Sequence, residues 1–278
     1  MKSFLLNFCY SILLCVFFLF FKNNGKAQDD FHFKKLATFS HSRMLAASDP
    51  LGFFFVLDEK GLLLKLDTLG KEQFRYSTTR DGELKYIDTY NGLQILCWFP
   101  DFQKIILLDR TLQPQGEINL TQQGIFLSNA VKTAMDGNIW VFDDNNFQIK
   151  KLDRFGKEIM AGNRLDLVLE APWHPVYLYE YDNKVYLTDP EKGILVLDVF
   201  GNYVKTIPIK GLNYFFIRDE KLVFQKDNSF KAFNLNALLE ESFETDLEVP
   251  EGIKVFWEGK YCFAFFKDKI EIFTIQAN

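Results

Sequence analysis

The sequence predicts an all-β protein: a six-bladed β-propeller of four-stranded antiparallel blades, with the last blade closed by an N-terminal strand. Three observations carry that prediction. First, a short phrase recurs along the chain. It reads Leu66-Asp67-Thr68-Leu69-Gly70-Lys71, Leu108-Asp109-Arg110-Thr111-Leu112, Leu152-Asp153-Arg154-Phe155-Gly156-Lys157 and Leu197-Asp198-Val199-Phe200-Gly201-Asn202, then more weakly Phe233-Asn234-Leu235 and Phe273-Thr274. Its second residue advances by 42, 44, 45, 36 and 40 positions, and a period near 40 with strand-like flanks is the mark of propeller blades. Second, the segments between are short apolar or alternating runs bounded by Asp, Asn and Gly, the pattern of strands joined by tight turns. Third, the last repeat holds three recognisable strands, and a spare strand-like segment stands before the first repeat.

Taken in order, blade one reads Arg43–Ser48, Phe53–Leu57, Leu62–Leu66 and Gln73–Ser77, with Gly61 and Gly70 in the hairpin turns. Blade two reads Leu84–Thr89, Leu93–Trp98, Lys104–Leu108 and Gly116–Leu120; blade three Leu127–Ala134, Asn138–Phe142, Phe147–Leu152 and Lys157–Met160. Blade four reads Val176–Glu180, Lys184–Thr188, Ile194–Leu197 and Tyr203–Ile207. Blade five reads Tyr214–Ile217, Lys221–Phe224, Phe230–Phe233 and Asp246–Val249, after an insertion, Asn236–Ser242, whose capping residue and helix formers predict one or two helical turns. Blade six supplies Ile253–Trp257, Tyr261–Phe266 and Ile270–Phe273, and Phe31–Phe39 completes it as the outer strand. Such a closure pairs the last free sheet edge.

Composition supports one domain over residues 28–278. The 278-residue chain is 48% hydrophobic and carries 31 Phe, enough for a large core and too apolar for disorder. Its formal charge is −5, and no basic run appears, which argues against nucleic acid as a partner. The first 27 residues read as a signal peptide: Lys2, an apolar run from Phe4 to Phe21, then Gly25 and Ala27 at the small-residue places before a cut. Cleavage places the protein in the periplasm or outside the cell; membrane contact then comes only from a segment left uncut. Cys9 and Cys15 leave with the signal. Cys97 and Cys262 fall in second strands of non-adjacent blades, so both are expected as buried free thiols.

The run Ala134-Met135-Asp136-Gly137-Asn138-Ile139-Trp140-Val141-Phe142-Asp143, followed by Lys151-Leu152-Asp153-Arg154-Phe155-Gly156-Lys157, resembles the repeats of secreted six-bladed propellers of the NHL-repeat-like kind. Gln28 after Ala27 resembles the small-residue-then-Gln cut of Bacteroidetes-type secreted proteins, and Asp67-Thr68-Leu69 resembles their short O-glycosylation pattern. Some six-bladed relatives with hydrolase or lactonase activity hold an axial metal through Glu, Asn and Asp. That resemblance would nominate Asp88, Asn129, Glu180 and Asn213 here, for a sugar- or lactone-like substrate.

The remaining motifs read as structure. Asp143-Asp144-Asn145-Asn146 lacks the Gly and bidentate Glu of a calcium loop and predicts a hairpin turn. Asp67, Asp109, Asp153 and Asp198 end third strands and predict turns, not a carboxylate ring. His32, His41 and His174 show no metal-ligand spacing, and no phosphate loop or nucleophile elbow occurs. No metal or other cofactor is expected. The connection Ala161–Pro175 is the longest between blades and is rich in Leu, Val and Trp. A long apolar loop on a compact domain points either to a contact surface or to a loop folded over its own blade that hides these residues; for the contact surface Arg164, Trp173 and His174 are the candidate binding residues. The function expected is a non-catalytic interaction scaffold for a protein partner of the cell envelope, with the axial-metal enzyme as the alternative.

Overall fold

The computed structural model describes residues 31–40, 43–58, 60–77, 80–226, 229–243, 245–248, 250 and 253–277. The signal segment with Cys9 and Cys15, His41 and Val249 lie outside the described residues. Strand β1 (Phe31–Ser40) comes first. Blade one is β2 (Arg43–Ser48), β3 (Phe54–Asp58), β4 (Leu62–Leu66) and β5 (Glu72–Ser77). Blade two is β6 (Tyr86–Asp88), β7 (Gln94–Phe99), β8 (Lys104–Asp109) and β9 (Pro114–Asn119). Blade three is β10 (Val131–Thr133), β11 (Ile139–Asp143), β12 (Gln148–Leu152) and β13 (Glu158–Ala161). Blade four is β14 (Tyr177–Tyr181), β15 (Lys184–Asp189), β16 (Gly193–Asp198) and β17 (Tyr203–Ile207). Blade five is β18 (Phe216–Arg218), β19 (Lys221–Lys226), β20 (Ser229–Asn234) and β21 (Leu239–Ser242). Blade six is β22 (Lys254–Glu258), β23 (Tyr261–Phe265) and β24 (Lys269–Ala277), with β1 as its outer strand. The predicted closure holds, β1 pairing antiparallel with β24 from Phe31↔Ala277 to Ser40↔Lys269.

The repeated phrase has a local cause. In blades one to four the Asp ending the third strand accepts backbone N–H groups from residues two and four further on, as Asp67 does from Leu69 and Lys71 and Asp153 from Phe155 and Lys157. This is an Asx turn. A register shift sits beside the Leu before it, at Lys65/Leu66, Leu107/Leu108, Lys151/Leu152 and Val196/Leu197, so each corner is a bulge plus a turn. The residue three after the Asp takes a left-handed backbone: Gly70 at φ 77, Gly156 at φ 86, Gly201 at φ 81. Blade two places Leu112 there at φ 61 and buries it. Asp143 likewise accepts from Asn145 and Asn146, the turn expected of that motif.

Second strands such as Ile95-Leu96-Cys97-Trp98-Phe99 and Ile139-Trp140-Val141-Phe142 are buried on both faces, because each blade is covered by a neighbour on either side. The core accordingly divides into clusters that each span one blade interface. One joins Phe55 and Leu57 to Cys97 and Phe99, and another joins Phe54 and Val56 to Tyr261 and Phe263 across the closing seam. Cys97 and Cys262 are both free and buried, as expected, and burial raises both thiol pKa values.

Blade five corrects the sequence reading. Its outer strand is Leu239–Ser242 paired with β20, not Asp246–Val249, and Leu235–Leu238 is a turn, not helix. Asn234 accepts the N–H groups of Asn236 and Ala237, so an Asx turn also ends this third strand, but without the bulge of blades one to four and with the left-handed residue, Leu238, four positions on. A seven-residue run of helix formers is too short to offset helix nucleation when a sheet edge competes for its backbone. Among the described residues, no helix is long and apolar enough to cross a membrane.

Candidate functional site

Six innermost strands converge on the axis, so side chains from all six blades meet there. A cavity of about 600 Å³ opens at the end of the ring where first strands turn into second strands. Its walls are mainly aromatic: Tyr86, Tyr177, Tyr179, Tyr214, Phe256 and Trp257. A second cavity of about 500 Å³ lies between blades five and six and shares Tyr86, Tyr214, Phe216, Phe256 and Trp257 with the first. The rings brace each other, Tyr177 edge-on to Tyr86 at 6.4 Å and to Tyr214 at 4.9 Å, and Tyr214 stacked on Phe256 at 4.1 Å. The Tyr214 hydroxyl donates to the Trp257 carbonyl oxygen. Such edge-to-face and offset pairs hold flat walls in fixed positions.

Charged groups in these walls are already engaged. Lys132 lies 3.5 Å from the buried Asp88 carboxylate, donates to the Tyr86 hydroxyl at 3.0 Å, and stands over the Tyr179 ring at 5.6 Å. The other Asp88 bonds come from the backbone, Thr133 N–H of blade three at 2.7 Å and Tyr90 N–H at 3.0 Å. Asp49 pairs with the buried Lys65 at 3.2 Å and accepts the Phe53 N–H. Glu180 accepts Met135 N–H and the Trp140 indole N–H, each at 2.8 Å. Arg218 lies 3.3 Å from Asp219. Lys260, exposed in the β22–β23 turn, lies over the Tyr261 ring at 5.2 Å and forms no ion pair among the described residues. Asp88 and Glu180 bolt one blade to the next, whereas Asp49 and Asp219 pair within their own blades.

The four axial candidates do not come together. Asp88 and Glu180 sit near the ends of their first strands, whereas Asn129 and Asn213 lie in the connections before β10 and β18, at the opposite end of the ring. Asn129 donates to Asp144 at 3.5 Å. Among the described residues, no three His, Cys, Asp or Glu side chains are grouped to hold a metal ion.

The candidates of the long connection also separate. Leu165–Leu167 forms a short 3-10 turn. Trp173 is 7% exposed and packs with Trp140, Leu165 and Leu178 between blades three and four. Arg164 is exposed and makes a two-pronged pair with Asp166 at 3.0 and 2.6 Å. His174 donates its backbone N–H to Asp189 at 2.9 Å, and its ring Nδ1 lies 3.3 Å from Asp144. Burial pushes the Asp144 carboxyl up to about 6 against the opposing pull of His174. Leu167 and Val168 project from the same loop, 78% and 59% exposed.

The aromatic axis escaped the sequence reading. The signal for it is present, since Tyr86, Tyr177, Phe216 and Phe256 each fall in the first strand of a blade. What the sequence withholds is which residue of a three- to five-residue strand points inward.

No protein-family model matches the chain, and no curated protein matches it. Solved structures do. The chain is similar to virginiamycin B lyase from Staphylococcus aureus, with 14% identity and a TM-score of 0.65 over 87% of this chain and 99% of that one. It is similar to a streptogramin B lyase, with 15% identity and a TM-score of 0.60 over 89% and 98%. The WD40 domain of Neurospora crassa Pan2 follows at 11% identity and a TM-score of 0.63 over 89% and 96%. At these identities the likeness is one of fold: the chain is a six-bladed β-propeller, on a scaffold shared by enzymes and by a WD40 domain.

Proposed function

We propose that the protein is a non-catalytic, secreted or periplasmic propeller of the NHL-repeat-like kind that serves as a rigid interaction scaffold for a protein partner in a cell-envelope assembly. The observation that carries this reading is an apolar rim at the end of the ring opposite the aromatic cavity mouth. Phe102, Phe126, Leu127, Leu167, Val168 and Val176 are all exposed there, Phe126 at 65%. The loops that bear them are tied together: Gln103 binds both backbone groups of Ser128, Asp144 N–H donates to the Leu127 carbonyl, and Leu165 N–H donates to the Phe147 carbonyl. Rigid, exposed apolar loops suit a protein contact. Arg164 and His174 flank this rim and supply its polar edge, and Trp173 holds the loop down from beneath. The engagement of Asp88 and Glu180 by blade-joining bonds, and of Asp49 by Lys65 of its own blade, supports the non-catalytic half of the reading. The basic start, the apolar run and Ala27-Gln28 support secretion.

The test is affinity capture from the native envelope with the wild-type protein and a Phe126→Glu, Leu167→Glu variant. A partner retained by wild type and lost by the variant, at equal melting temperature, supports the scaffold. Identical captured sets with both proteins remove the rim from consideration.

A further inference from the structure

Three features of the axial cavity go beyond a partner-binding rim on the opposite end. Its volume of about 600 Å³ is that of a small-molecule site. Its walls are flat rings held by their neighbours, Tyr214 on Phe256 at 4.1 Å and Tyr177 on Tyr214 at 4.9 Å. Its charges are asymmetric in what they leave available, because Asp49 and Glu180 are engaged within the walls while Lys260 at the mouth has no ion-pair partner among the described residues.

We propose that this cavity binds a small ring-bearing anion: one or two fused six-membered rings carrying a carboxylate, the ring seated between the aromatic walls and the charge against Lys260. The walls decide the ring, since planar aromatic surfaces gain most from a flat face laid on them. The cations decide the charge. An aromatic box also suits a bound cation, but here a resident one fills that role: the Lys132 ammonium stands 5.8 Å from the Tyr86 centroid and 5.6 Å from that of Tyr179. A second cation would face Lys132, Arg218 and Lys260 together. A neutral ring would cover Lys260 and remove its water without a compensating partner. An anion completes it.

Calorimetric titration of the mature protein decides this with four probes. Naphthoate supplies a flat ring with a carboxylate, naphthalenemethanol the flat ring without charge, and cyclohexanecarboxylate and glucuronate the charge on a puckered apolar or hydroxylated ring. The expected result is one molecule of naphthoate bound per chain, with the uncharged and non-planar probes, glucuronate included, at least about tenfold weaker. Lys260→Met, an exposed change outside the core, lowers that affinity about tenfold and weakens its salt dependence. Tyr179→Leu lowers it as well, with the melting temperature recording that the ring remains folded. Failure of naphthoate to bind at millimolar concentration overturns the proposal. So does naphthalenemethanol binding as tightly as naphthoate, or an affinity indifferent to Lys260→Met. None of these outcomes bears on the apolar rim, which is read by partner capture.

Discussion

The indole N–H of Trp140 in blade three donates to the Glu180 carboxylate of blade four at 2.8 Å, and the same oxygen accepts the Met135 backbone N–H. Glu180 is thus a fastener between two blades. Replacing it by Ala strands two donors beside a buried ring and should cost about 2–3 kcal/mol in urea unfolding. Glu180→Gln keeps an acceptor oxygen and should recover most of that loss. Equal stability of the Ala variant and wild type would show that the bond contributes nothing net.

Closure of the ring depends on β1. Its pairing with β24 is reinforced by Lys35, which lies 2.6 Å from Glu271, and by Phe33, edge-on to Trp257 at 5.1 Å. A chain starting at residue 43 exposes the β24 edge and should melt at least about 8 °C lower and self-associate. Scanning calorimetry with size-exclusion chromatography reads both, and unchanged melting of a monomeric truncation would contradict the closure.

Trp173 and Leu167 belong to one loop but separate in effect. Trp173→Ala opens a cavity among Trp140, Leu165 and Leu178 and should destabilise by about 3–5 kcal/mol. Leu167→Ser removes an exposed side chain and should stay within about 0.5 kcal/mol of wild type while weakening partner capture. Loss of capture in Trp173→Ala with no loss of stability would make the indole a contact residue.

The Asp144 carboxyl, raised to about 6 by burial, gives a signed pH dependence. A folded-state value above the ordinary one means the native protein holds this proton more tightly than the unfolded chain. The associated stability is present below about pH 4 and is lost as pH rises through about 6. His174 opposes the shift by hydrogen bond and charge. His174→Gln should therefore move the Asp144 midpoint higher and deepen the loss at neutral pH. A carboxyl NMR titration checks the midpoint, and a value near 4 in the wild-type protein would refute the assignment.

What the sequence determined is what local chemistry determines. The blade corners are written in consecutive residues, an Asp that binds its own backbone and a Gly free to turn left-handed, so their spacing gave the blade count, the strand order and the N-terminal closure without any tertiary information. Blade five marks the boundary of that legibility. Asn234 performs the Asp role there, and helix formers join a sheet edge because β20 offers their backbone partners that a single helical turn cannot. The axis lay beyond reach for a different reason. Tyr86, Tyr177, Tyr214 and Phe256 are separated by whole blades, and their meeting depends on strand register and radial position rather than on neighbours in sequence. The same holds for the acidic side chains. Asp88 and Glu180 look like candidate ligands in a string of residues, and only the packing of one blade on the next shows their oxygens bound to Thr133, Met135 and Trp140. For Trp173 the sequence left two readings open, a contact residue or a loop folded over its own blade, and only the packing with Trp140, Leu165 and Leu178 decides for the second.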